Sequence, residues 1–326
     1  MTTPWVSPRT SLKLEYQGGS LTSGKETFSQ VSDQIYDLRF PDILASEDLE
    51  ALKFYEGRAD DYDKYLHLTF KTYGEDEFKI RQTMVERLNL NGVSKVLEIA
   101  SGTGRDSEII AEHLPENSEL HMTDISLDML SKCRDKIISK YESKLLNYFT
   151  LVNAVNLPYP DNYFDALYSF GALGEFSNPK RFFQEVSRVC KPGARVVVGD
   201  ENLPVWLLDS DFGKILANYN DQFLAKVPFS ALPVEARDVN CRWIIGGVFY
   251  QIDFTVGEGE PYANFDFNIP GVRGGTHLTR MYGQLEGVDI ETKNLAWKAR
   301  EKLGVSMHDW LNEIVLKESK KVLDEL

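Results

Sequence analysis

The residues with the clearest chemical potential are Glu98, Ala100, Ser101, Gly102, Thr103 and Gly104. They close the apolar run SKVLEIA (94–100) and precede the helical pattern DSEIIAEHL (106–114). Small residues at a strand-to-helix turn let backbone amides approach a ligand closely, and open α/β sheets bind ligands at the carboxyl ends of their strands. A second acid, Asp124, ends another apolar run 20 residues past Gly104. A dinucleotide-binding G-x-G-x-x-G turn is the near competitor, since Gly102, Gly104 and Ser107 almost satisfy it. The acid ahead of the glycines on the strand stands against it. Cys133, Cys190 and Cys241 are far apart and form no C-x-x-C pair, so they read as reduced thiols. No His, Cys and carboxylate set has metal-ligand spacing, no Ser/His/Asp set stands out, and no metal is expected.

The elements around these residues alternate. ELHMTDI (119–125), YFTLVNA (148–154), FDALYSF (164–170) and ARVVVGD (194–200) have strand composition. SLDMLSKCRDKIISKY (126–141), with Ser126 as cap, and NPKRFFQEVSRVC (178–190) have helical periodicity. Strands alternating with helices of this length predict a parallel sheet covered on both faces. Residues 48–90 are helical with a break near Gly74, and residues 1–45, mixing Pro, Ser, Gly and Thr, read as a loosely structured N-terminal arm. Residues 203–270 are rich in aromatic side chains. VFYQIDFTV (248–256) and ANFDFNI (263–269) each alternate strictly around Gly257, Gly259 and Pro261, which predicts one antiparallel hairpin. Two helices end the chain, the first over 289–303 before Gly304, the second opened by a Ser306 and Asp309 capping box.

With these features in order, residues 50–202 resemble the class I S-adenosylmethionine-dependent methyltransferases of the small-molecule type. The resemblance is carried by VLEIASGTGRDS, MTDISLDML, VNAVNLPYPDNYFDALYSF and FFQEVSRVCKPGARVVVGDE. It implies an α/β fold with a Rossmann-like, doubly wound, mostly parallel seven-stranded sheet, helices on both faces, an N-terminal helical lid, an inserted hairpin or lid region and C-terminal helices. The corresponding divisions are an arm (1–45), the cofactor-binding core with lid helices (46–202), an aromatic-rich substrate, lid or dimerisation region (203–285) and a helical pair (286–326). The resemblance also implies S-adenosyl-L-methionine as cofactor. Glu98 and the Ala100–Gly104 loop would approach its methionine end. Asp124 would accept from the ribose hydroxyls, with Ile125 beside the adenine. Met129, Ala154, Ser169, Tyr62 and Arg81 complete the implied cofactor set. Asn153 stands where the family usually has an acid facing the adenine amino group, and its side-chain oxygen can still accept that hydrogen bond. Ala100 stands where the family commonly has Gly.

Tyr168, Ser169 and Phe170 occupy the family's position beside the departing methyl, so Tyr168 and Phe170, with Trp206 and Tyr250 from the aromatic region, are substrate candidates. Tyr62, Phe70, Tyr73 and Arg81 read equally as lid or as packed helix. The sulfonium methyl is already activated, so a base is optional; for a hydroxyl acceptor, His277, His67, Asp200 and Glu201 are candidates. The Asn-Pro-Pro-Tyr type of motif is absent. ETKNLAWKAREKLGVSMHDWLNEIV also resembles the paired helices of ribbon-helix-helix repressors, but no basic strand precedes it, so it reads as a packing or dimerisation element.

Composition narrows the partners. The chain has 326 residues, of which 42% are hydrophobic, 36 are Lys or Arg and 50 are Asp or Glu, for a net charge of −14. The acidic excess runs evenly along the chain, and gripping a phosphate backbone or an anionic membrane needs clustered basic residues. The expectations are therefore a small-molecule acceptor, no nucleic acid, no membrane, a cytoplasmic protein and a homodimer left open. Methyl transfer to O, N or C of an acceptor from specialised or quinone-type metabolism is the leading reading. The alternatives are a cofactor-binding protein of this fold that transfers no methyl, and a nicotinamide-dependent oxidoreductase.

Overall fold

The computed structural model describes residues 2–270, 275–282 and 288–324. It divides between Pro261 and Tyr262 into two compact units, inside the stretch 203–285 expected to act together, and each is described by itself.

The first unit is built on one sheet of twelve strands, not the expected seven. Its parallel centre comprises β6 (Lys95–Ile99), β7 (Glu119–Asp124), β8 (Leu146–Leu151), β9 (Phe164–Phe170) and β10 (Cys190–Glu201). β12 (Phe249–Val256) runs antiparallel on β10, and β11 (Ala236–Ile244) antiparallel on β12. These seven lie side by side as β8-β7-β6-β9-β10-β12-β11. Helices α5 (Arg105–His113), α6 (Leu127–Tyr141) and α7 (Pro179–Val189) connect the parallel strands. The central strands bury apolar residues on both faces: Leu97, Leu167, Val196 and Val198 join one core cluster, and Val96, Ala166, Leu120, Met122 and Val197 the other.

The other five strands correct the reading of residues 1–45 as an arm. β1 (Thr2–Val6), β2 (Lys13–Gln17), β3 (Ser20–Ser23), β4 (Glu26–Ser32) and β5 (Ile35–Asp37) form an antiparallel meander, and β5 continues the sheet by pairing parallel with β8. β2, β3 and β4 each turn one large apolar residue inward: Leu14, Leu21 and Phe28, beside Trp5 and Leu38. Gly18 and Gly19, both at positive φ, make the two-residue turn between β2 and β3.

The predicted hairpin is also corrected. β12 pairs with β11, in the register Trp243↔Tyr250 and Ile244↔Phe249, while residues 263–269 form no strand. The turn between them needs Gly246: it has a φ of +66°, and a Cβ there would come within 2.1 Å of the Tyr73 ring. The helical stretch before the sheet core is four short helices, α1 (Ser46–Tyr55), α2 (Ala59–Tyr65), α3 (His67–Thr72) and α4 (Glu77–Val85). α8 (Asp211–Tyr219) lies between β10 and β11 in sequence.

The second unit holds α9 (His277–Tyr282), α10 (Ile290–Leu303) and α11 (Met307–Asp324). Asp289 caps α10 through Thr292 N–H, Gly304 ends it in the left-handed region, and Ser306 accepts from Asp309 N–H at 3.0 Å to open α11. No helix among the described residues is long and apolar enough to cross a membrane.

Candidate active site

The turn after β6 sits at the carboxyl edge of the sheet. Ala100, Gly102 and Gly104 all have positive φ there (56°, 54° and 81°), which bends the chain sharply enough to aim backbone N–H groups across the edge. The two glycines are needed for different reasons. A Cβ on Gly104 would lie 2.9 Å from Cys133 Sγ, so α5 and α6 pack too closely for a side chain. A Cβ on Gly102 would meet nothing within 4 Å and would project into open space. Ala100 carries a side chain in a conformation that Gly adopts freely.

Asp124, ending β7, is held against this turn. Gly102 N–H donates to its Oδ2 and Ser126 N–H to its Oδ1, each at 2.9 Å. Burial pushes its carboxyl up to about 6, against the lowering effect of those backbone donors. Glu98 is buried behind the turn and accepts from the Ser107 hydroxyl; burial, and next the charge of Asp106, hold its carboxyl well above the usual range. Thr103 donates its hydroxyl to Asp63 at 2.5 Å, and Ser101 N–H donates to Thr123 O.

Two cavities open over the turn. The first is lined by Ala100, Gly102, Asp124, Ile125, Met129, Val152, Asn153, Ala154 and Phe170, together with Asp48, Tyr55, Tyr62 and Glu175. The second is walled by Tyr55, Tyr62, Phe70, Arg81, Ser101, Thr103, Phe170, Glu201, Ile245 and Phe249. Both share Ala100, Gly102, Phe170, Gly171, Tyr55 and Tyr62, so they meet at the turn. Arg81 is fixed there: its Nη1 donates to both carboxylate oxygens of Asp106 at 2.9 Å and its Nε to Glu77.

The remaining candidates are distributed as follows. Phe170 lies at the junction of the cavities, whereas Tyr168 and Ser169 are buried in the sheet. Asp200 accepts from the backbone N–H of Gly174 and of Glu201, and Glu201 faces the second cavity with its carboxyl raised well above the usual range by burial and by Asp200. Tyr250 is buried and lines a third cavity with Asp200, Glu201, Gln222 and Lys226. Trp206 is 67% exposed and meets Trp243 edge-on. His277 begins α9 in the second unit, edge-on to the rings of Phe265 and of Phe267 with centroids 5.8 Å away in each case. Among the described residues no group of three or more His, Cys, Asp or Glu could hold a metal ion.

Among the cleft residues that the sequence did not single out are Asp48, Tyr55 and Glu175, which the fold brings from α1 and from a one-turn helix after β9; Phe249, on the β12 face expected to cover a cavity, does line the second one. Glu175 accepts from Tyr55 Oη at 3.0 Å, and burial raises its carboxyl to about 7.

The residues present fit an adenosyl cofactor. A carboxylate whose oxygens keep spare lone pairs suits a vicinal diol, Ile125, Met129, Val152 and Ala154 offer apolar surface to a base, and the space over Gly102 admits a chain along the turn. The fold and this site have the arrangement that the resemblance to class I, S-adenosylmethionine-dependent methyltransferases implies. Residues 97–198 match the methyltransferase domain family. The chain is 34% identical over 146 residues to the ubiquinone/menaquinone biosynthesis C-methyltransferase UbiE of Chromobacterium violaceum, covering 40% of this chain and 58% of that one. It is 32% identical to the UbiE of Cupriavidus metallidurans, covering 35% and 46%. The chain thus spans about half the length of these relatives. A crystal structure of a SAM dependent methyltransferase from Aquifex aeolicus superimposes with a TM-score of 0.40 at 19% identity, covering 54% of this chain and 89% of that one.

Proposed function

We propose that the chain transfers a methyl group from S-adenosyl-L-methionine to O, N or C of a small acceptor, and that the acceptor occupies the second cavity. The observation that carries this is the junction of the two cavities over Ala100, Gly102 and Phe170: a donor lying along the turn and an acceptor under Phe249 would meet there. The cofactor supplies an activated sulfonium methyl. The protein's task is alignment and exclusion of water, for which Tyr55, Tyr62, Phe70 and Phe249 form apolar walls. Glu201 lines the acceptor side and, unlike Asp106 there, is not held by Arg81; its raised carboxyl makes it the stronger base, and its ionised form would take the proton from a hydroxyl acceptor as the new bond forms. The aromatic walls and the ubiquinone and menaquinone biosynthesis named for the relatives both support a quinone-type or other aromatic acceptor.

The test is a panel of phenolic and quinol acceptors incubated with the protein and S-adenosyl-L-methionine, followed by mass spectrometry. A methylated acceptor with equimolar S-adenosylhomocysteine is expected. Tight binding of both cofactor forms with no turnover on any acceptor would favour the non-methylating alternative, and binding of NAD instead would overturn the reading.

A further inference from the structure

Asp48 is an acid from outside the matched domain. It lies in the first turn of α1, it is 4% exposed, and it lines the first cavity beside Ile125, Val152, Asn153 and Ala154. Its Oδ2 accepts from Asn153 Nδ2 and from Ser177 Oγ, both at 2.8 Å, and its Oδ1 accepts from Ser177 N–H at 3.0 Å.

These bonds fix the neighbouring amide. A carboxylate only accepts, so Asn153 must turn its NH2 toward Asp48; the N–H of Val155 only donates, so it meets Asn153 Oδ1, at 3.2 Å. Asn153 is therefore clamped in one orientation, with its oxygen turned toward its own loop and one of that oxygen's two lone pairs taken by Val155. Each carboxylate oxygen can accept two hydrogen bonds. Oδ2 of Asp48 has both, whereas Oδ1 has one and retains a lone pair.

We propose that Asp48 recognises the exocyclic amino group of the cofactor's adenine, taking the place of the acid that the Asn153 position lacks. This rests on the methyl-transfer reading above. The Asp48, Asn153 and Ser177 set then acts as one reader: Ser177 and Asn153 hold the carboxylate, and its open lone pair selects a donor over an acceptor at that edge of the base. A carbonyl oxygen in place of the amino group would face this charged oxygen with no proton between them, which is strongly disfavoured in a buried site.

Calorimetric titration of the full chain with S-adenosylhomocysteine and S-inosylhomocysteine, which differ at that amino group, tests the assignment without turnover. The unaltered protein is expected to prefer the adenosyl form by about tenfold or more. Asp48→Asn, nearly isosteric, should lower adenosyl affinity and shrink the preference to about twofold or less. The double variant Asp48→Asn with Asn153→Asp should recover part of the preference by moving the acid next door. Circular dichroism on each variant separates misfolding from altered recognition. If Asp48→Asn weakens both ligands equally, or leaves the preference intact, Asp48 only packs α1 and the assignment falls while the methyl-transfer reading stands. Failure of the unaltered protein to bind S-adenosylhomocysteine removes both.

Discussion

Ala100 lies in the turn after β6 and Asp124 is hydrogen-bonded to that turn, but the two test different things. Asp124 is a buried carboxyl raised to about 6, so its proton returns within an accessible pH range. The protonated form loses the charge that a diol prefers, so affinity for S-adenosylhomocysteine should be constant above pH 7 and fall by up to about tenfold per unit below pH 6. Asp124→Asn should abolish that slope, and Asp124→Ala should cost about 1.5–3 kcal/mol of binding at pH 7.5. Titration at several pH values checks both; a slope that survives in Asp124→Asn would mean another group controls it. Ala100 holds a φ of 56°, which an L side chain adopts only at a cost. Ala100→Gly should therefore raise stability by about 1 kcal/mol in urea unfolding, and unchanged or lower stability would show that its methyl makes compensating contacts. The sequence shows only that Ala100 stands where the resembled family commonly has Gly; the structure shows why a glycine suits the position, in its positive φ.

Strand β7 carries a buried polar group unrelated to the cleft. His121 is fully buried, stacks on Tyr148 with ring centroids 4.4 Å apart, and has its Nε2 3.2 Å from Glu119 Oε2. Burial depresses its proton affinity more than Glu119 restores it. The unfolded chain would gain a proton below ~6.5 that the native state refuses, so this contribution to stability is present above that pH and is lost as pH falls through it. For Glu119, burial acts upward but is outweighed by bonds to His121, Tyr163 and Lys95. Its carboxyl is lowered to about 2, and its contribution is lost in the same direction at lower pH. Urea unfolding at pH 8 and pH 5.5 should show a smaller pH effect in His121→Phe than in the unaltered chain; an equal effect would mean that His121 does not titrate between them. The strands and helices of the sheet centre were legible because doubly buried strands are continuous apolar runs set off by capped helices, as in β9 and in α6 with its Ser126 cap. The edges were not. β2 to β4 each bury one apolar residue, too few for alternation to register, and Gly18-Gly19 was the available turn signal. The β11 pattern ARDVNCRWI hides its pairing with β12, because its alternation is interrupted by a register shift between Arg237 and Asn240. Similarly, Asp124 could be found by spacing from the glycine turn, whereas Asp48 and Glu175 reach the cleft through tertiary packing alone.

The division at Pro261 gives the chain a separable architecture with a functional consequence. All the residues named in the cavity linings, from Asp48 to Tyr250, belong to the first unit, as do the sheet and the buried core clusters with their long-range strand pairings. A unit with its own core is expected to fold without its neighbour. A chain ending at Pro261 should therefore unfold cooperatively and bind S-adenosylhomocysteine within about twofold of the full chain, since the groups that would hold the cofactor are all retained. Methyl transfer is the discriminating readout, because the shortened chain lacks His277, the one base candidate in the second unit. If Glu201 takes the acceptor's proton, transfer should survive the truncation and fall in Glu201→Gln, with cofactor affinity little changed in both. If the truncated chain binds normally but no longer transfers, and His277→Ala in the full chain reproduces that loss, the base lies in the second unit and the Glu201 assignment fails.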